Sequence, residues 1–377
     1  MIKGLGKVLF PNYFSPYLCG IIVKNGKGGR KMEGKELLFK LSDSTGVSGN
    51  EHGLGNLLQE YFEKHVTETN VTKQGNFMAI KRGDGGGKHK IMIAAHSDEI
   101  GMMVKDIDDR GFIYFTRVGG IDPKTIPAQE VIIHGRKEVY GVVGAKPPHV
   151  LSRDDMEKAI RLEDMKIDVG MTKEEAEQYI TVGDLITVRR DCINLQGDFL
   201  TGKALDDRAG IASMLECAIE LERLKHDADV YFTATVSEEV GAWGAKTAAY
   251  EINPNIAIAV DVTFGDKHAG DRVNIECGKG VEITVGPNIH PELSRRLLDI
   301  ADEYKIPYAI DVCPGPTGTD AWAIQIVREG IPSLLISIPL RYMHTSTEVI
   351  SYKDVVLTGR LMALFIASIR EWGDIYA

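Results

Sequence analysis

The chain has 377 residues, more than one average domain needs and enough for a large core. Its composition is ordinary for a folded protein, with 44% hydrophobic and 26% charged residues. The 54 acidic residues exceed the 44 basic ones, and the net charge of −10 argues against nucleic acid or an anionic membrane as the main partner. No apolar run reaches the roughly 18–20 residues that span a bilayer, so no membrane partner is expected.

The cysteines are odd in number, widely scattered and free of any C-x-x-C pair. Such usage predicts reduced thiols in a cytoplasmic protein, and it argues against both a disulfide framework and a thiolate metal site. The five residues concerned are Cys19, Cys192, Cys217, Cys277 and Cys313.

Residues 1–31 form an N-terminal extension of uncertain status, which starts basic and contains some apolar residues. Pro11 and Pro16 interrupt its apolar part, so it is a poor signal peptide. Two interpretations stay open: a tail that packs on the surface, or residues added by an upstream start codon, with Met32 as the natural first residue.

After this extension the pattern becomes regular. Apolar residues at helical spacing predict helices over residues 34–43 and 51–66, and Ser48 to Asn50 could cap the second helix. Apolar runs over residues 77–83 and 90–104 predict strands joined by a glycine-rich loop.

The stretch from about residue 104 to 191 has a different texture. Short β-like runs alternate with Gly, Asp and Pro turns, and residues 172–180 are the one convincing helix. This pattern predicts a small inserted β domain, residues 104–191, within a larger domain made of residues 32–103 and 192–377.

From about residue 200, strands alternate with helices. Helices are predicted over residues 208–224, 291–304 and 352–372, with strands at 230–236, 255–262 and 333–340. Such alternation indicates βα units in a sheet covered on both sides. The predicted fold is therefore α/β, a mixed sheet with helices on both faces, carrying an inserted small β-barrel-like domain.

Polar residues gather where these buried strands end. In open α/β sheets, ligands bind beyond the carboxyl ends of the strands, so these side chains are expected at one edge. Another acidic pair stands just before a predicted helix. The residues are His96 to Glu99, Glu238 and Glu239, Asp261, His344, and the pair Asp206 and Asp207.

Each of these signals has a structural alternative when taken alone. A histidine at a strand end is more often a hydrogen-bonded structural residue, Asp207 could be a helix cap, and the Glu238–Glu239 pair could be a solvated turn. The coincidence of all the segments favours a metal site instead. Imidazole and carboxylate ligands suit zinc, cobalt or manganese, and this set is large enough for two ions about 3.5–4 Å apart.

The motifs together resemble a known family, the dimetal (co-catalytic zinc or cobalt) aminopeptidases. The resemblance is strongest to the branch of glutamyl, deblocking and tetrahedral aminopeptidases, some of which carry the label endoglucanase M. It covers roughly residues 34–370 and implies a zinc-peptidase-like fold. The motifs, in chain order, are AAHSDEIG, GKALDDRAG, SEEVGAWGA, AVDVT and MHTSTE.

The resemblance also implies a role for each site residue. Asp206, four residues before Gly210, would bridge two divalent metal ions, and the peptide bond after it is commonly cis in such enzymes. His96 and Asp261 would bind the first ion, and Glu239 and His344 the second.

The same resemblance implies a catalytic mechanism for hydrolysis of N-terminal residues from peptides. Glu238 would act as general base and acid toward a bridging water nucleophile, and Asp98 would hydrogen-bond the imidazole of His96. Gly318, Thr319 and Asp320 match a loop near the substrate, although Thr319 or Asp320 could equally cap a helix. Trp243 departs from the family pattern, in which an arginine is common at that position.

Three other functions are alternatives to the aminopeptidase. A glycoside hydrolase needs two carboxylates and no histidine-rich metal set. A related amidohydrolase or deacetylase could use the same ligands, and a scaffold with structural metals would be expected to use thiolates. The resemblance further implies self-association through the inserted β domain, as a dimer or a dodecamer, with peptides as substrates and no nucleic acid.

Overall fold

The structure is a computed structural model that describes residues 33–145, 148–150, 160–266, 274–369 and 372. The N-terminal extension, with both interpretations of residues 1–31, lies outside these ranges, as does Cys19.

The strands in these described ranges belong to two sheets, and we number them in chain order. They are β1 (Glu68–Val71), β2 (Phe77–Lys81), β3 (Lys90–His96), β4 (Gly101–Ile107), β5 (Ile113–Val118), β6 (Glu130–His134), β7 (Glu138–Val143), β8 (Ile167–Asp168), β9 (Leu185–Val188), β10 (Ile193–Asn194), β11 (Phe199–Gly202), β12 (Asp229–Thr235), β13 (Ile256–Phe264), β14 (Val281–Val285), β15 (Tyr308–Val312), β16 (Ser333–Arg341) and β17 (Glu348–Ser351).

The α-helices are numbered in the same way. They are α1 (Glu33–Asp43), α2 (Leu54–Phe62), α3 (Lys173–Ala176), α4 (Leu205–Glu220), α5 (Trp243–Ile252), α6 (Pro291–Glu303), α7 (Asp320–Ile324) and α8 (Tyr352–Ser368). None of the helices in the described ranges is both long and apolar enough to cross a membrane.

The larger sheet has eleven strands and is mixed. Its main path runs β1-β2-β12-β3-β13-β16-β17-β11-β10, and β14 joins β16 with β15 beyond it. The central strands β12, β3, β13 and β16 are parallel to one another, β2, β14 and β17 pair antiparallel with them, and β15 is parallel to β14. The carboxyl ends of the four parallel strands therefore meet at one edge of the sheet.

Helices cover both faces of this sheet. Along β3, Ile91 and Ile93 pack in the core that includes residues of α1, α2, α4, α6 and α8, whereas Met92 and Ala94 pack against α5 and α7. Alternate residues of a strand point to opposite faces, so a fully apolar strand is what two covered faces require. The predicted α/β fold is confirmed.

The remaining strands close into a barrel in the order β4-β5-β8-β7-β6-β9. The barrel has a core of its own, which includes Met102, Ile113, Val131 and Ile167. Its strands run from Gly101 to Val188, so the chain enters it just after β3 and leaves it just before β10. The predicted β-barrel-like insertion is confirmed, and its part in self-association stays a prediction.

Some local predictions were wrong. The second helix is shorter than residues 51–66, its N-cap is Gly53, and no side chain caps it. Ser48 donates instead to the Oδ2 atom of Asp98, 2.6 Å away. The apolar run over residues 90–104 is two strands, because the chain leaves the sheet after His96 and starts the barrel at Gly101.

Cysteine chemistry agrees with the sequence where it is described. Cys192, Cys217, Cys277 and Cys313 are free thiols, and the first three are buried. The cytoplasmic setting inferred from such thiols stays a prediction.

Candidate metal centre

The parallel strands bring the predicted ligands to the carboxyl edge of the sheet. His96 is the last residue of β3 and pairs with Thr235, the last residue of β12. Asp261 lies within β13 rather than at its end, because β13 pairs with β16 as far as Phe264. The pairing of β13 with β3 ends earlier, at Ala259, so Asp261 lies beyond the last residue of β13 that pairs with β3.

Two groups of side chains there could hold a metal ion. The first set is His96, Asp206 and Asp261, and the second set is Asp206, Glu239 and His344. Within each set the candidate ligand atoms lie within 4.8 Å of one another. These sets contain all five residues that the sequence predicted as ligands, and Asp206 belongs to both.

The carboxylate of Asp206 faces both sets at once. Its Oδ1 atom is 3.0 Å from Nε2 of His96, and its Oδ2 atom is 3.2 Å from Nε2 of His344. Nε2 of His344 is also 3.4 Å from Oε1 of Glu239. A carboxylate with one oxygen toward each set has the geometry of a bridging ligand.

The neighbouring Asp207 points elsewhere. Its Oδ2 atom accepts the main-chain N–H of His96 (3.2 Å), and its Oδ1 atom accepts that of Gly210 (3.0 Å). The peptide bond between Asp206 and Asp207 is cis, as the resemblance implied. Asp207 is therefore a structural residue that links the start of α4 to the end of β3.

Asp98 holds the turn that carries the two glutamates. Its Oδ1 and Oδ2 atoms accept the main-chain N–H groups of Glu238 (3.0 Å) and Glu239 (3.1 Å). The Nδ1 atom of His96 lies 3.1 Å from the main-chain carbonyl oxygen of Asp98 and 3.5 Å from its Oδ1 atom. Both the main-chain oxygen and the carboxylate of Asp98 thus lie beside Nδ1 of His96, and the predicted catalytic role of Asp98 stays a prediction.

A left-handed residue lets both glutamates reach the site. Ser237 has φ of 58°, so the chain turns directly before Glu238 and Glu239. Its N–H donates to Oε1 of Glu51, 3.0 Å away. Glu239 is in the second set, whereas Glu238 is in neither set and is half-buried beside them.

Several buried charges to which the sequence analysis gave no individual role support the site. Glu348 accepts the N–H of Asp206 (3.1 Å) through Oε2 and that of His344 (3.0 Å) through Oε1. Behind the His96 loop, Glu99 binds Lys203 through both oxygens (2.8 Å) and Arg208 through Oε1 (3.3 Å). Glu348 stands in the motif MHTSTE, which was the only sequence signal for it.

The side chains present fit divalent metal ions. Burial raises the pKa of Glu238 to about 8 and that of Glu239 to about 7, and it raises the pKa of Asp261 well above its ordinary value. Each of these carboxyl groups is disfavoured in its charged form, and the group faces two imidazoles. A bound cation would neutralise such carboxylates. No thiolate is among the donors, which suits zinc, cobalt or manganese.

Comparison with known proteins agrees with this chemistry. The sequence profile of the M42 glutamyl aminopeptidase family matches residues 75–361. The chain belongs to this family. It is 38% identical to the lysyl aminopeptidase of Pyrococcus furiosus over 343 residues, which is 89% of this chain and 97% of that protein. As an M42 family member the chain is a peptide hydrolase of the aminopeptidase class.

Solved structures of TET peptidases have the same fold. The TET aminopeptidase of a Thaumarchaeota archaeon aligns with a TM-score of 0.84 at 31% identity, covering 89% of this chain and 96% of that one. The TET1 peptidase of Pyrococcus horikoshii aligns with a TM-score of 0.79 at 29% identity, covering 89% of this chain and 100% of that one. That peptidase can assemble into a tetrahedron or a large octahedral shell.

The predicted substrate loop of this M42 member lies at the start of α7. Thr319 precedes the helix but makes no side-chain cap, and an added Cβ at Gly318 would meet no atom within 4 Å. Asp320 is buried, its Oδ2 atom accepts the Thr235 hydroxyl (2.5 Å), and burial raises its pKa to about 6. Neither side chain is thus the helix cap that the alternative interpretation required.

Trp243 is the first residue of α5 and is 53% exposed. Its ring packs over Gly241, where an added Cβ would lie 2.5 Å from Nε1. Nothing in the structure explains this departure from the pattern that the resemblance implied.

Proposed function

We propose that this protein is a two-metal aminopeptidase, with one ion in each set and Asp206 bridging them. The observation that carries the proposal is the placement of the two Asp206 oxygens, one toward His96 and one toward His344. His96 and Asp261 would complete the site of the first ion, and Glu239 and His344 that of the second. The ions, zinc or cobalt and alternatively manganese, would polarise the scissile carbonyl and lower the pKa of water.

Glu238 is the proposed general base and acid. Glu238 belongs to neither set, and its neighbour Glu239 belongs to the second. The Glu238 carboxylate would therefore be available for proton transfer next to the ions. It would accept a proton from the attacking water and deliver it to the nitrogen of the leaving amine. Asp98 would keep Glu238 in place by accepting its main-chain N–H.

The proposed substrates are peptides with a free N-terminus. Gly318, Thr319 and the buried Asp320 would form part of the substrate-binding site. The test is the KM of a Thr319→Val variant across a panel of aminoacyl-nitroanilides, and KM is expected to rise. Values equal to those of the natural protein would contradict this placement. The same panel identifies the preferred first residue.

The inserted barrel is the proposed surface for self-association into a dimer or a dodecamer. The assembly of the Pyrococcus horikoshii relative supports the proposal. So does the exposure of Tyr140 and Val142 on β7, at 57% and 47%, since clustered exposed apolar residues mark interaction sites. A Tyr140→Lys variant is expected to assemble less completely than the natural protein, as measured by light scattering. Equal assembly of the two proteins would argue against this surface.

The family assignment favours the aminopeptidase over the other functions weighed. Its profile describes a peptidase, so the glycoside hydrolase rests on a label alone, and the comparisons give the deacetylase no support. The non-enzymatic scaffold is wrong, because the chain belongs to a family of peptide hydrolases.

Removal of metal tests the proposed function directly. Dialysis against a chelator is expected to abolish release of nitroaniline from aminoacyl-nitroanilides, and zinc or cobalt is expected to restore it. Elemental analysis of the restored enzyme should find two ions per subunit. Full activity in chelated protein, or saturation of activity at one ion per subunit, would overturn the two-metal proposal.

A further inference from the structure

The barrel contacts the second set at one turn. Gly119 and Gly120 directly follow β5, and the main-chain carbonyl of Gly120 lies 3.0 Å from Nδ1 of His344. These two residues are 224 positions apart in the chain. We call this segment the Gly119–Gly120 turn.

The contact fixes which nitrogen of His344 carries the proton. Nε2 faces Asp206 and Glu239, so it is the nitrogen available to a metal ion. A carbonyl oxygen can only accept, and therefore Nδ1 must be the donor in the hydrogen bond with Gly120. A metal-binding histidine is oriented, and its basicity raised, by such a bond from its other nitrogen.

The close approach requires glycine at both positions. A Cβ on Gly120 would lie 2.7 Å from Nδ1 of His344, and a Cβ on Gly119 would lie 2.8 Å from a methyl carbon of Ile100 and 3.3 Å from Oε2 of Glu239. Gly119 also has φ of 77°, which disfavours other residues. The turn thus packs its main chain directly against two members of the second set.

His344 needs this support more than the other histidine does. Its side chain is 34% exposed, compared with 2% for His96. It lies in a loop after β16 and has φ of 60°, a conformation that most residues avoid. Glu348 holds only its main-chain N–H. The ring itself is held between Asp206 and Glu239 at Nε2 and the Gly120 carbonyl at Nδ1.

We propose that the Gly119–Gly120 turn of the barrel is a positioning element for the second metal ion, because the Gly120 carbonyl aligns Nε2 of His344 with Asp206 and Glu239. The first set has its own orienting carbonyl, at Asp98, which precedes the first strand of the barrel. The inference rests on the proposed two-metal function and adds a selective prediction: disturbing the turn weakens one site and spares the other.

The test is a Gly120→Ala variant, titrated with zinc by equilibrium dialysis. The added methyl group must push the His344 ring away, so affinity for the second ion is expected to fall by about 10–100-fold. Affinity for the first ion should stay within about twofold. The matched control is Gly144→Ala in the same barrel, where the added Cβ would meet only a carbonyl oxygen at 3.7 Å.

A second variant tests the hydrogen bond without added bulk. Exchanging Ile121 for its α-hydroxy acid turns the carbonyl of residue 120 into an ester carbonyl, which is a weaker hydrogen-bond acceptor. The affinity for the second ion should therefore fall, as in Gly120→Ala. If natural protein never binds a second ion, the proposed function fails. If it binds two ions, and both the ester and Gly120→Ala proteins bind them equally well, only the role of the turn is overturned.

Measurements on the metal-free proteins distinguish a folding defect from weaker metal binding. Chelated Gly120→Ala and Gly144→Ala should both unfold in a single cooperative transition, because neither change removes core packing. Added zinc should then raise the unfolding temperature of Gly120→Ala less than that of the control. Equal loss of both ions in Gly120→Ala would also contradict a selective positioning role.

Discussion

Replacing Glu238 with glutamine is expected to lower kcat by about 10²–10⁴-fold while the protein keeps both metal ions. Glutamine has the same shape but cannot accept a proton from water at neutral pH. The main-chain bond between Glu238 and Asp98 does not depend on the side chain, so the turn should keep its conformation. KM should change little, since the lost interaction belongs to the transition state.

The measurement is steady-state hydrolysis of the best aminoacyl-nitroanilide, together with elemental analysis of the same samples. Val240→Ala, a change at an exposed residue of the same turn, is the matched control and should keep activity within a few-fold. Full peptidase activity in Glu238→Gln would sink the proposed role. A loss of metal in proportion to the loss of activity would make Glu238 a ligand instead.

The second large effect is expected at the shared carboxylate. Asp206→Asn should weaken the binding of both ions, because an amide offers one oxygen where the carboxylate offers two. The NH₂ group of the asparagine would face one of the sets. Metal polarisation stabilises the transition state by several kcal/mol, and 1.36 kcal/mol corresponds to tenfold. Activity should therefore fall by at least about 10³-fold at limiting metal.

Two further variants make the prediction for Asp206 specific. Asp261→Asn removes a carboxylate from the first set only, and His344→Gln removes an imidazole from the second set only. At a metal concentration that fills both sites of the natural protein, each should retain one ion, and Asp206→Asn should retain neither tightly. If Asp206→Asn lost no more metal than Asp261→Asn, the carboxylate would not be shared.

The sequence predicted the outline of the site because its ligands follow buried strands. An apolar run that ends in a polar residue, as β3 ends in His96, is a local pattern that needs no knowledge of distant contacts. The position of Asp261 was less accurate, since the length of β13 depends on its pairing with β16. The barrel was predicted from turns and short strands, which are also local signals.

The supporting contacts could not be predicted, because they join residues far apart in the chain. Glu51 holds the Ser237 turn, and Gly120 orients His344, yet neither has a recognisable motif. Helix α5 was missed as well, since its small residues Gly244, Ala245 and Ala248 resemble neither an amphipathic stripe nor a charged surface. Its burial comes from the sheet beneath it rather than from its own pattern.

The place where the barrel joins the sheet has a further consequence. The chain enters the barrel at Gly101, which pairs with Val118 immediately before the Gly119–Gly120 turn. The turn therefore lies at the end of the barrel where the chain enters from the sheet. Changes in the length or the partners of loops at the other end of the barrel would not directly alter the contact between Gly120 and His344, so one domain can combine a variable surface with a constant positioning contact.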